Sequence, residues 1–224
     1  MPNKLDRRLD GALTALREHS RPDQLDAMAR FGLTGDGRLG LAVPTLRALA
    51  REVGRDHELA LALWDSGIPD AQILAGMLAE PARLTVEQMD HWVAGMRAWD
   101  VCDQACTHAF VKSPLAWEAI PRWAAREAEF EKRAGFALLA VAAVHQKQRP
   151  DADFLARLPL IEAAAGDERN FVKKAVNWAL RQIGKRSPAL REPALTVAGR
   201  LCERSEKSSR WIGSDARREL SRRP

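Results

Sequence analysis

An all-α architecture of stacked antiparallel helix pairs follows from three features of this sequence. Apolar residues recur at three- and four-residue steps almost from end to end. No sustained two-residue alternation or Asn-Gly hairpin signal appears, and Val, Ile and Thr never cluster as strands. The 224 residues are instead punctuated by Gly, Pro and capping residues into short helical stretches with brief linkers.

Taken in order, Leu5, Leu9, Leu13 and Leu16 open an amphipathic helix. The Gly-rich run 35–40 (GDGRLG) breaks the pattern, and Pro44 stands at the first turn of a helix that stops near Gly54. Residues 57–64 form a short helix stopped by Gly67, after which Pro69 begins the next. Thr85 and Gln88 have the spacing of a capping box ahead of a run through Trp92 and Met96. Pro114 and Pro121 mark two short helices, and 127–146 reads as a long, largely buried one. Helices over 151–165, from about 167 to Gly184, over 187–202 and over 212–220 complete the chain. So many short helices in succession predict a single domain over 1–224, a curved solenoid of the HEAT type, whose concave side offers an extended groove. Internal periodicity is weak, so an irregular helical bundle stays open as the alternative.

Composition narrows the function classes. The N-terminal stretch MPNKLDRRLDGALTALRE is too charged for a signal peptide, and the longest apolar run, FALLAVAAV at 136–144, is too short to span a bilayer. A cytoplasmic protein without membrane partners is expected. Three cysteines do not make a disulfide framework. Cys102, Cys106 and His108 raise the question of a metal, but zinc wants a fourth ligand and no second cluster appears, so no metal is expected and buried small hydrophobes are the simpler reading. Net charge is +5 overall, yet residues 171–224 carry 14 Lys and Arg against 5 Asp and Glu. A basic end suggests a polyanionic partner; a solvated C-terminal face would look the same.

Three segments carry candidate chemistry. In AWDVCDQ, Trp99 and Asp103 are four apart and share a helix face. An indole beside a carboxylate suits a planar cation, whereas Asp100 or Asp103 as a helix cap over a core-packed Trp99 is the plain structural reading. In EKRAGFALLA, Arg133 introduces a very apolar helix and must find an anion, either Glu129, Glu131 or Glu162, or a phosphate. In NFVKKAVNWALRQIGKR, Phe171, Lys174, Trp178, Arg181 and Lys185 form a stripe that alternates aromatic and cationic groups, which can pair with phosphates and pack on sugar or base. A solvated face is the plainer alternative, though one that rarely includes a Trp.

In order and separation these three segments resemble the AlkD-type DNA alkylation-repair glycosylases, over roughly residues 20 to 215. The resemblance implies HEAT-like repeats around duplex DNA and excision of cationic lesions such as N3-methyladenine and N7-methylguanine, with no metal or organic cofactor. It implies a catalytic carboxylate at Asp103, Trp99 and Trp178 against the lesion's deoxyribose, and a phosphate contact at Arg133. Lys173, Lys174, Arg181, Lys185 and Arg186 fall where backbone contacts are expected. The partner implied is duplex DNA containing alkylated bases. A repeat array of this size with no coiled-coil seam is expected to be a monomer. The family also differs from most glycosylases in not needing to extrude the damaged base. A non-catalytic binder of distorted or branched DNA, a protein-interaction scaffold, and a bifunctional enzyme using Lys173 or Lys174 as a Schiff-base nucleophile are the alternatives.

Overall fold

A computed structural model describes residues 3–222; Arg223, counted in the basic C-terminal charge, lies outside that range. The described residues are helical throughout, with no strand among them, and fall into two compact units, 1–115 and 116–224.

The first unit opens with α1 (Lys4–Glu18), fixed at its start by a reciprocal capping box between Asn3 and Asp6. After α2 (Leu25–Arg30) and the Gly-rich loop come α3 (Val43–Val53) and α4 (His57–Asp65). Gly54 ends α3 at a φ of 79°, a left-handed conformation that favours glycine. Asp56 caps α4 by accepting from the Leu59 N–H at 3.1 Å. Every residue of α5 (Pro69–Leu78) is buried, so this is the central helix, packed by α3, α4 and α7. The expected capping box is present: Thr85 accepts from the Gln88 N–H and Gln88 accepts from the Thr85 N–H, starting α6 (Val86–Gly95). α7 (Trp99–His108) follows. Trp64 and Trp92 stack with centroids 4.3 Å apart and planes 4° from parallel, joining α4 to α6.

The second unit holds α8 (Ala116–Ala124), α9 (Glu129–His145), α10 (Asp151–Leu155), α11 (Leu158–Ala164), α12 (Asn170–Arg186), α13 (Pro188–Cys202) and α14 (Lys207–Leu220). Several boundaries differ from expectation: α14 begins at Lys207 rather than 212, and α12 runs Asn170–Arg186 rather than from about 167 to Gly184. Pro121 lies inside α8 rather than starting a separate helix, at the cost of one backbone hydrogen bond; burial of Ala119, Ile120 and Trp123 on one face holds the helix together across it. The stretch 151–165 is two helices, because Pro159 stands in the first turn of α11 and ends α10 before it.

A repeat is visible in the side-chain pairings even though the sequence barely shows it. Phe171 of α12 lies 38 residues beyond Arg133 of α9, whose Nη1 donates to its carbonyl. Asn177 pairs with Asp215 and Arg181 with Glu219, again 38 apart, joining α12 to α14. Arg200 reaches Glu162 across the same interval. α9, α12 and α14 are thus successive equivalent helices of a repeat about forty residues long, the length of a HEAT unit. Within the pairs, α8 crosses α9 at Gly135 and α13 crosses α14 at Gly213; a Cβ there would stand 2.5 Å from the Ala124 nitrogen and from the Ala198 oxygen respectively.

Candidate functional site

In the first unit the chemistry gathers at the N-terminus of α7. Ala98 is the N-cap and offers no side-chain cap, so neither Asp100 nor Asp103 fills that position. Trp99 is not packed in the core: it is partly exposed, and its Nε1 donates to the Phe31 carbonyl at 2.9 Å, which fixes the ring plane. Asp103, also partly exposed, follows one turn later on the same face.

Asp100 points elsewhere. Its two oxygens take Arg38 Nη1 at 2.7 Å and Nη2 at 2.9 Å, in an ion pair whose side chains are only 4% (Arg38) and 13% (Asp100) exposed. Oδ1 also accepts from the Val101 N–H at 2.9 Å, at the positive end of the helix. Arg38 further donates to the Thr34 carbonyl. The loop that carries it is held from the other side by wholly buried Asp70, which accepts from the Leu39 and Leu41 N–H groups at 2.7 and 2.9 Å. Arg38 and Asp70 therefore pin the Gly-rich loop onto α7 and α5, and with it the turn that presents Trp99 and Asp103. Sequence reasoning missed both residues; the run of glycines marked the loop but not its partners.

Cys102 and Cys106 are fully buried in α7. Partly exposed His108 is within 3.1 Å of Gln104 through Nε2. Among the described residues no group of three or more His, Cys, Asp or Glu is placed to hold a metal.

In the second unit the site is α12. Its apolar stripe, Val172, Ala175, Val176, Ala179 and Ile183, is buried as its spacing predicts. The opposite stripe stays accessible, with Lys174 exposed and Phe171, Trp178, Arg181 and Lys185 partly so. Five cations and no acid lie on this helix. With the Gln182 amide oxygen turned toward them, Trp178 Nε1 at 3.2 Å and Lys185 Nζ at 3.1 Å both donate to it. A concavity of about 200 Å³ beside them is lined by Lys147, Gln182, Lys185 and Arg186.

These cations differ in how far they are committed. Arg181 and Lys185 converge on Glu219 of α14 at 2.5 and 2.7 Å. Burial pushes the Glu219 carboxyl up, but the Lys185 and Arg181 hydrogen bonds outweigh it and hold the group below the ordinary glutamate range. Arg186, expected among the DNA contacts, is the most heavily committed within the fold. It donates to the carbonyls of Ala143, Gln146 and Arg149 at and just after the end of α9 and to Asp151, and its guanidinium lies 4.2 Å from the Phe154 ring centre. Arg133 is 5% exposed and donates to the Phe171 carbonyl at 2.7 Å. Glu129, on the same helix, accepts from the Phe171 N–H at 3.3 Å. Arg133 thus ties α9 to the first turn of α12, where Phe130 also stacks on Phe171 at 5.4 Å.

The sequence-predicted residues therefore form two groups, Trp99 with Asp103 on α7, and Lys173, Lys174, Trp178, Arg181 and Lys185 on α12 with Arg133 beneath its start. Trp211 on α14, exposed at 41% and with Lys173 Nζ 5.8 Å from its ring centre, was not anticipated. Its signal was there, an indole between Arg210 and the helix read as starting at 212.

Among the described residues no helix is long and apolar enough to cross a membrane. Among solved structures the chain is similar, with 18% identity, a TM-score of 0.78 and 95% of each chain covered, to one described as belonging to a new family of proteins related to the HEAT-like repeat DNA glycosylases with affinity for branched DNA structures. At that identity the likeness shows the fold, which is a HEAT-like helical repeat. No curated protein matches the chain. The family model for DNA alkylation repair enzymes matches residues 12–220, and the chain belongs to that family.

Proposed function

We propose that this protein is a DNA glycosylase that hydrolyses the N-glycosidic bond of positively charged alkylated purines, such as 3-methyladenine and 7-methylguanine, in duplex DNA. The observation that carries the reading is Trp99 and Asp103 on one accessible face of α7, in a chain of the alkylation-repair family.

Alkylation at N3 of adenine or N7 of guanine leaves the base cationic, so it departs as a neutral molecule when the C1′–N bond breaks. No general acid is needed, unlike ordinary glycoside hydrolysis. The remaining tasks are to stabilise an oxocarbenium-like sugar and to direct water at C1′. Asp103 suits both, as a nearby anion and as acceptor of the proton that water gives up. Trp99, oriented by its bond to Phe31, offers a ring face to the cationic sugar, worth on the order of 1 kcal/mol. The products are the free alkylated base and an abasic site.

On the second unit, Trp178 is proposed to pack against deoxyribose, and Lys173 and Lys174 to contact phosphates. Arg181 and Lys185 join them by exchanging Glu219 for a phosphate oxygen. Arg133 acts mainly from beneath, ordering the turn that carries Phe171.

A second reading, a non-catalytic binder of branched DNA, draws on the description of the structural neighbour. Duplex DNA carrying 7-methylguanine separates the two. The glycosylase releases free 7-methylguanine and leaves alkali-labile abasic sites, while undamaged purines stay in place. Binding to four-way junctions with no base release would support the second reading and overturn the first.

A further inference from the structure

α12 and α14 meet along a regular row. Lys173, Asn177 and Arg181, one turn apart on α12, face Trp211, Asp215 and Glu219, one turn apart on α14. The last two rungs are polar pairs at 2.7 and 2.5 Å. The first differs: it sets an ammonium 5.8 Å from the centre of an indole that is 41% exposed. A single exposed aromatic needs no explanation by itself. Its company does. Lys174 is exposed beside Lys173, and Lys207 is exposed one turn before Trp211 on α14. Arg210 lies next to the indole, although its guanidinium is tied to the carbonyls of Arg204 and Ser205. The acids nearby are Glu168, which accepts the Ser208 N–H at 3.1 Å and lies within electrostatic reach of Lys173 and Lys207, exposed Glu206 beside Lys207, and Asp215, which is paired with Asn177 and Arg218. They leave the four cations in slight excess. The patch is net cationic around one accessible ring.

We propose that Trp211, with Lys173, Lys174 and Lys207, is a second nucleic-acid contact that takes an unpaired base of a single-stranded segment by stacking, the lysines holding the flanking phosphates. A ring face accepts any base, and a lysine already poised over that ring can move to the phosphate that arrives with the base. An acidic peptide would satisfy the lysines but leave the ring unmatched, which is why a nucleic acid fits better. The proposal rests on the DNA-binding part of the reading above and is independent of base excision.

The test is binding of a fluorescently labelled oligothymidylate of about twelve residues, a length within the usual single-strand site size, to the full chain at physiological salt. The wild type, Trp211→Phe and Trp211→Ala are compared. Trp211→Ala weakens binding at least about fivefold, whereas Trp211→Phe, which keeps a stacking ring, stays within about twofold of wild type. Thermal melts of both variants establish that they are folded. Equal affinity of Trp211→Ala and wild type, absence of binding by wild type, or equal binding of a polyglutamate peptide would each overturn the proposal. Release of 7-methylguanine from duplex DNA is scored separately, and its absence would bear on the glycosylase reading alone.

Discussion

Both carboxylate oxygens of Asp100 are taken by the Arg38 guanidinium, 62 residues earlier, in a pair almost shut off from water. Removing one partner of such a pair strands the other, so Asp100→Ala is expected to lower stability by about 3 kcal/mol in urea unfolding. Replacing both residues with apolar side chains of similar volume should recover much of that loss. An unchanged midpoint for Asp100→Ala would remove the clamp from the account. The same pair marks where sequence reading ran out at this scale. Trp99 and Asp103 were legible because a four-residue spacing places them on one helix face whatever the tertiary structure. Arg38 and Asp70 were not, since their partners lie 62 and about 30 residues away and no local pattern encodes such a pairing. Arg186 shows the converse. Its place in a basic helix suggested a phosphate contact, and only the fold reveals the carbonyls at and just after the end of α9 that it satisfies.

The helices themselves were mostly legible, because their stop and start signals are local. Thr85 with Gln88 and Pro44 with Gly54 act where expected. Pro121 was read as a helix boundary and Pro159 was passed over, because a proline's effect depends on whether tertiary burial outweighs its lost hydrogen bond, and the two sites differ in that respect. Crossing points were silent in sequence. At Gly135 the facing α8 backbone leaves no room for a side chain, so Gly135→Ala should cost about 2 kcal/mol despite the gain in helix propensity. Gly199 on α13 has nothing within 4 Å of a built Cβ, and Gly199→Ala should instead stabilise by up to about 1 kcal/mol. Thermal melts giving both variants the same sign would contradict this packing. The carboxylates of Glu219, Glu162 and Asp151 are all held below their ordinary range, by pairing with Lys185 and Arg181, with Arg200, and with Ser187 and Arg186 respectively. Their stabilisation is present above the unfolded values near pH 4 and is lost as pH falls through the lower folded values. Acid titration should therefore destabilise the wild type more steeply than Glu219→Gln.

Over the whole chain the net charge of +5 conceals a strongly basic C-terminal quarter. Binding to duplex DNA should weaken steeply with salt, and Lys174→Gln, which removes an exposed cation from α12, should reduce the slope of log affinity against log salt by about 1. A slope near zero for the wild type would speak for a protein partner instead. The repeat that orders this molecule was nearly invisible in the sequence because what recurs is the position of a packing or pairing residue, not its identity: Arg133 to Phe171, Asn177 to Asp215 and Arg181 to Glu219 share only their interval. The central claim, a carboxylate that drives loss of a cationic base, is tested most directly by single-turnover release of 7-methylguanine by Asp103→Asn. The account predicts a rate reduced by about 100-fold or more with DNA affinity preserved; release at the wild-type rate would contradict it.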